Sequence, residues 1–138
     1  MQPSVKARSA LRLLIDMTAY SDAGNVKVKD ISRRQGISVK YLEQIVAVLS
    51  KEGFVAGERG PQGGYRLCVD PHQTTAGDVI RAVDGPVITE PEGTPSSTDD
   101  IWRRIGMSAN AILDDYTLAD LAESELRIQA GKGPEYLI

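Results

Sequence analysis

Cysteine, histidine, tryptophan and phenylalanine each occur once in the 138 residues, and aromatic side chains make up 5% of the chain. A lone thiol rules out a disulfide framework, so stability has to come from an apolar core, and 41% apolar residues over this length suffice for one small domain. Cys68 and His72 are also too few ligands for an ordinary zinc or iron–sulfur site, so no metal or other cofactor is expected. No apolar run approaches the ~20 residues that cross a bilayer. MQPSVKARSA lacks the apolar centre of a secretion signal, which makes a cytoplasmic protein without a membrane partner the expectation. No nucleophile is spaced for pairing with a base, and Glu90 and Glu92 fall in a Pro-, Gly- and Ser-rich stretch, so an enzyme is not expected.

Charge is divided along the chain. Residues 1–66 hold 11 Lys/Arg against 6 Asp/Glu, whereas residues 67–138 hold 5 against 13. The first half suits a phosphate backbone, and the second would be repelled by one.

Within the basic half, SVKYLEQIVAVLSKEGFVAGERGPQGGYRL (38–67) carries the densest local code. Ser38 is placed to cap a helix, and Leu42, Ile45, Val46 and Leu49 form one apolar stripe at helical spacing. The helix ends at Gly53. Phe54 to Glu58 then returns as Tyr65 to Cys68 around a tip of Arg59, Gly60, Pro61, Gln62, Gly63 and Gly64, which predicts a β-hairpin. Upstream, Asp30 to Gln35 predicts a short helix stopped by Gly36, so the whole reads as a helix-turn-helix followed by a wing. The polar residues Ser38, Lys40, Tyr41, Glu43 and Gln44 occupy the first turns, where a recognition helix meets base edges. Gly60, Gly63 and Gly64 permit close backbone approach to a groove, and Arg59 supplies a cation for a narrow minor groove. A nucleotide-cradling loop is excluded, because no Lys-Ser/Thr follows the glycines.

Around this unit, Val5 to Tyr20 predicts a helix with two apolar stripes, Ala7/Leu11/Leu14/Thr18 and Ala10/Leu13/Met17/Tyr20, and hence one buried on two sides. Val26 and Val28, alternating with Lys27 and Lys29, predict a short strand added to the wing. Thr75 to Asp78 has the form of a capping box, opening a helix with Val79, Ile80 and Val83 inward and Gly85-Pro86 at its end. Beyond the loop, Trp102, Ile105, Ala109, Ile112 and Tyr116 recur at spacings of three and four, a heptad seam for a partner helix, with packing on the chain's own core as the alternative. Two such reading units on half-sites one turn apart, roughly 34 Å, require a two-fold spacer, which favours a homodimer. Thr117 to Asp120 repeats the cap and opens a short closing helix.

The ordered set of Ser38, Tyr41-Leu42-Glu43-Gln44, Leu49, Gly53, Val55, Arg59-Gly60 and Gly63-Gly64-Tyr65 resembles the bacterial family of dimeric winged-helix regulators that includes IscR and CymR. Arg8 to Arg12, Ala76 to Ile80 and Thr117 to Leu121 extend the resemblance over nearly the whole chain. It implies that Ser38, Tyr41 and Glu43 contact bases or adjoining phosphates and that Arg59 enters the minor groove. IscR-like relatives bind an iron–sulfur cluster through cysteines in the loop after the fourth helix, and this loop has none. The resemblance is therefore closer to the cluster-free CymR-like branch, which acts with cysteine synthase, an enzyme that accepts partner tails ending in isoleucine. Tyr136, Leu137 and Ile138 are the matching candidates here. Fold-back of this tail onto its own domain is the alternative. Cys68, on the face of the strand that carries Arg66, is a candidate redox thiol, against a quiet structural role.

The expectation is a mainly α fold with a small β-wing: a winged helix-turn-helix DNA-binding unit at 1–85, a flexible loop at 86–100, a dimerisation helix and closing helix at 101–124, and a flexible tail at 125–138. The expected function is a homodimeric repressor on a palindromic operator in double-stranded DNA, controlling sulfur or cysteine metabolism with cysteine synthase as partner. The alternatives are a redox- or metabolite-responsive regulator of other genes, and a winged-helix module that binds protein instead of DNA.

Overall fold

The computed structural model describes residues 2–21, 24–60, 63–87 and 93–131. Six helices and one two-stranded sheet occur among them. Helix α1 (Val5–Ala19) is the hub. Ser4 Oγ accepts from the Ala7 N–H at 3.0 Å to start it, and Ala7, Ala10, Leu13, Leu14 and Met17 are at most 1% exposed. Both apolar stripes are covered because α1 touches α2 (Val28–Gln35), α3 (Val39–Lys51), α4 (Ala76–Asp84) and α6 (Leu118–Gln129). Asp16, between the stripes, is fully buried as well.

The predicted strand at Val26 and Val28 is half right. Val26 exchanges two 2.8 Å backbone hydrogen bonds with Tyr65, but Val28 is the first residue of α2. Asp30 in the first turn opposes the positive helix end, and Val28 packs against the core from the helix. Gly36, at φ +67°, ends α2, as its position suggested.

In α3, Ser38 Oγ accepts from the Tyr41 N–H at 3.2 Å, and Leu42, Ile45, Val46 and Leu49 are at most 3% exposed. Gly53 turns the chain at φ +83° into β1 (Val55–Glu58), which pairs antiparallel with β2 (Gly64–Leu67) in the register Val55↔Leu67 to Glu58↔Gly64. The Thr75/Asp78 capping box is closed in both directions, at 3.1 and 2.9 Å.

Helix α5 (Asp99–Asp114) rests mainly on α4. It leaves Ile101, Trp102, Ile105, Met107 and Ile112 between 50% and 61% exposed. Tyr116 lies beyond its end, between Asp115 and the Thr117 cap of α6, so helical spacing does not carry the seam to it. Helix α6 runs to Gln129, five residues past the boundary expected at 124. Leu118 and Ala122 anchor it on the core, and Glu123–Arg127 and Glu125–Gln129 contacts one turn apart support its exposed side.

Candidate nucleic-acid interface

The reading surface follows from which side of α3 the core claims. With the Leu42/Ile45/Val46/Leu49 stripe inward, Ser38, Lys40, Glu43 and Gln44 are exposed, and Tyr41 is half-buried with its side chain against the core. Four polar groups and an aromatic thus share the N-terminal two turns of α3. Arg59 and Gly60 are exposed at the end of β1. At the wing's return, the Gly63 N–H donates to the Gly60 carbonyl at 2.8 Å, and a Cβ on Gly63 would stand 2.6 Å from the Glu58 carbonyl oxygen. Gly64, at φ +140°, would place a Cβ 2.7 Å from the Val26 carbonyl oxygen. The wing's own close packing therefore requires these two glycines. Pro61 and Gln62 lie outside the described residues. Glu58, which would repel phosphate, accepts from Asn25 Nδ2 at 2.9 Å and is 3.4 Å from Arg66 Nε.

A buried polar network that the sequence reading missed holds the reading unit on α1. Arg34 of α2 donates twice to Asp16, at 2.9 and 2.7 Å, and lies 4.2 Å from the centre of the Tyr20 ring. Gln35 Nε2 donates to Asp16 at 3.0 Å and to Glu125 of α6 at 3.3 Å, while Arg12 donates to the Gln35 side chain and carbonyl. The hydrogen bonds to Asp16, more than its charge alone, raise the Arg34 guanidinium above its ordinary value. The available signal was the one carboxylate of α1, set between Leu13 and Met17 on its apolar side.

A second cluster joins α4 to α5. Arg81 donates to Asp114 at 2.5 Å and to Asn110 Oδ1 at 2.8 Å, and Thr75 Oγ1 donates to Asp114 at 3.1 Å. The hydrogen bond from Arg81, with further help from Thr75, holds the Asp114 carboxyl below its ordinary 3.8. Beside this joint lies a cleft of about 520 Å³, lined by Ser4, Ile80, Asp84, Ala109, Ile112 and Leu113 among others and continuous with the apolar side of α5. Trp102, Ile105, Ala109 and Ile112 all lie on α5, with Ala109 half-buried and the other three exposed.

Cys68 is exposed just past β2, with Arg66 Nη1 3.5 Å from its sulfur. Tyr136, Leu137 and Ile138 lie outside the described residues.

Compared with known proteins, residues 4–124 match the Rrf2 family, described as an iron-dependent transcriptional regulator. The HTH-type transcriptional regulator IscR of Vibrio campbellii is 40% identical over 129 residues, covering 88% of this chain and 77% of the relative. IscR of Serratia proteamaculans is 38% identical over 133 residues, covering 91% and 81%. Among solved structures, CymR, the global cysteine regulator of B. subtilis, superposes with a TM-score of 0.81 at 34% identity over 89% of this chain and 97% of its own. IscR of T. potens gives 0.80 at 34% identity, over 94% and 91%. An iron–sulfur cluster does not fit the residues present. The one cysteine, Cys68, sits at the wing and the one histidine is His72, and among the described residues no three His, Cys, Asp or Glu side chains converge on a metal position. Winged reading unit, sequence and superposition agree, and the chain belongs to the Rrf2 family of DNA-binding transcriptional regulators.

Proposed function

We propose that the chain is a homodimeric repressor that reads a palindromic operator with Ser38, Lys40, Tyr41, Glu43 and Gln44 of α3 in the major groove. Arg59, Gly60 and Gly63 of the wing approach the minor groove. The observation that carries this reading is the exposure of Ser38, Lys40, Glu43 and Gln44, with Tyr41 half-buried beside them, on a helix whose opposite face is sealed into the core. The homodimer rests on the apolar side of α5: Trp102, Ile105 and Ile112 are half-exposed or more in the single chain, and such a row on one helix suits a second copy of itself. The cleft that continues from Ala109 and Ile112 toward Ser4 gives the partner's α5 side chains a place to enter. In domain terms, the winged unit at 1–85 takes α6 as part of its core, and α5 is the dimerisation element.

A role in cysteine or sulfur metabolism is favoured by the lack of cluster ligands and by similarity to the B. subtilis cysteine regulator. Cysteine synthase as a partner through Tyr136 to Ile138 follows from the same resemblance. Calorimetry with that enzyme tests it, and unchanged binding after deletion of Tyr136 to Ile138 refutes the tail contact.

The DNA-reading claim is tested by selecting sites from a random duplex pool and measuring affinity for the recovered motif against salt. Log affinity should fall linearly with log salt, Lys40→Ala should reduce the slope by about one, and Tyr41→Ala should relax sequence preference. No duplex binding at low salt would refute the reading.

A further inference from the structure

Gly77 lies in the middle of the first turns of α4 with ordinary helical dihedrals, and it is buried. Nothing in its backbone requires glycine. The requirement is steric: a Cβ there would stand 2.2 Å from Asp114 Oδ1 and 2.8 Å from both terminal nitrogens of Arg81. The missing methyl thus makes room for the Arg81–Asp114 pair, which Thr75 and Asn110 extend across the α4–α5 crossing. The pair is too open to hold the protein together, since the Arg81 and Asp114 side chains are 32% and 46% exposed. Val79 and Ile80 anchor α4 independently of it, and backbone bonds from Ala76 to Tyr116 and from Leu118 to Thr74 secure the chain just after α5. What remains for the clasp to determine is the angle of α5, whose main support is α4.

That angle has leverage. Sixteen residues at ~1.5 Å each make α5 about 24 Å long, so a tilt of about 10° at its clasped end moves the far end by about 4 Å. One base pair rises ~3.4 Å. We propose that Gly77, Arg81, Asn110 and Asp114 form a clasp that sets the direction in which α5 leaves the winged unit and thereby the operator half-site spacing that a dimer accepts. The proposal deepens the reading above, since it presupposes a dimer formed through α5 on duplex DNA. These are positioning residues: they touch no base, and they act by placing the reading helices.

Gly77→Ala is an unusually clean probe. The atoms its methyl would strike are the ends of two flexible side chains, so the clasp yields while the helix gains a better helix former. Duplexes carrying the selected half-sites at spacings graded by one base pair are titrated with wild type, Gly77→Ala, Asp114→Ala and the double variant. The wild type should prefer one spacing by about 10-fold or more over its neighbours, in the range that a single mismatched base pair commands. Each single variant should flatten that preference to within about 3-fold, and the double variant should do no more, because both substitutions open one clasp. Sedimentation should show an unchanged dimer, and affinity for a single half-site should stay at the wild-type value. Retention of the wild-type spacing preference by Gly77→Ala overturns the proposal, as does flattening that appears only together with loss of the dimer or of thermal stability. A wild type that binds no duplex refutes the DNA reading itself and the clasp's role with it; a wild type that binds one preferred spacing, with variants that keep it, refutes the clasp alone.

Discussion

Replacing Asp16 by alanine should be strongly destabilising. Asp16 has no exposed surface, and it is the shared acceptor of Arg34 and Gln35. Removing it leaves a guanidinium and an amide facing an apolar helix, and breaking one side of a buried pair costs about 3–5 kcal/mol. The Arg34 side chain is 21% exposed, so water relieves part of the orphaned charge, and about 3 kcal/mol is the expected loss. For a chain of this size that is a fall in Tm of about 10 °C, out of a total stability of about 5–15 kcal/mol. Urea unfolding at fixed protomer concentration gives the free energy directly, and the concentration is fixed because a dimer of the kind proposed would add to stability. Arg34→Ala leaves the fully buried Asp16 with Gln35 as its remaining donor, so it should be costly as well, and the double variant should lose less than the two singles added together. A loss below about 1 kcal/mol for Asp16→Ala, the value of an exposed pair, would refute the claim that this network seats the reading unit.

Ile105→Glu, on a side chain 50% exposed in the single chain, should leave the protomer folded and shift sedimentation from dimer to monomer; a persisting dimer removes α5 as the interface. Gly64→Ala, which must adopt φ +140° against the Val26 carbonyl, should destabilise the wing by about 1–3 kcal/mol and speed hydrogen exchange at the Val26 and Tyr65 amides, which donate to each other's carbonyls. The depressed carboxyl of Asp114 gives the clasp a defined pH range: its contribution is full above the ordinary aspartate value and is lost as pH falls through the lower, folded value. A carboxyl-carbon NMR titration of Asp114 should therefore have its midpoint below 3.8, and a midpoint at or above that refutes the pairing.

What could be read from the sequence was what neighbours along the chain decide. Ser38, Thr75 and Thr117 announce their helices because a cap acts on a backbone N–H three residues away, and the α3 stripe repeats within a single helix. The polar surface of α3 followed by subtraction. What escaped depends on contacts between distant residues. Asp16 meets Arg34 eighteen positions later, and only packing of α2 on α1 turns a charge on an apolar face from a misfit into an anchor. Gly77 carried no signal of its own inside the Thr75–Asp78 capping box, because the Asp114 carboxylate it makes room for comes from α5. Val28 alternated like a strand residue, yet the first turn of α2 claimed it, and Tyr116 kept heptad spacing past the point where α5 stops.

The charge division acquires a direction once the elements are placed. In the acidic half, Arg81, Arg103 and Arg127 are each committed to a nearby carboxylate, Asp114, Asp100 and Glu123, and α4, α5 and α6 together carry eight acids against four arginines. In the basic half, Lys27, Lys29 and Lys40 are exposed along α2 and α3, with Arg59 at the wing. A duplex therefore meets an attractive field from the α3 and wing side and a repulsive one from α5, which selects the productive orientation before any base is read. Because exposed charges separated by more than ~8 Å are screened at physiological salt, this selection acts on the rate of encounter; under the reading proposed above, the α3 side chains and the direction of α5 would decide which site is kept.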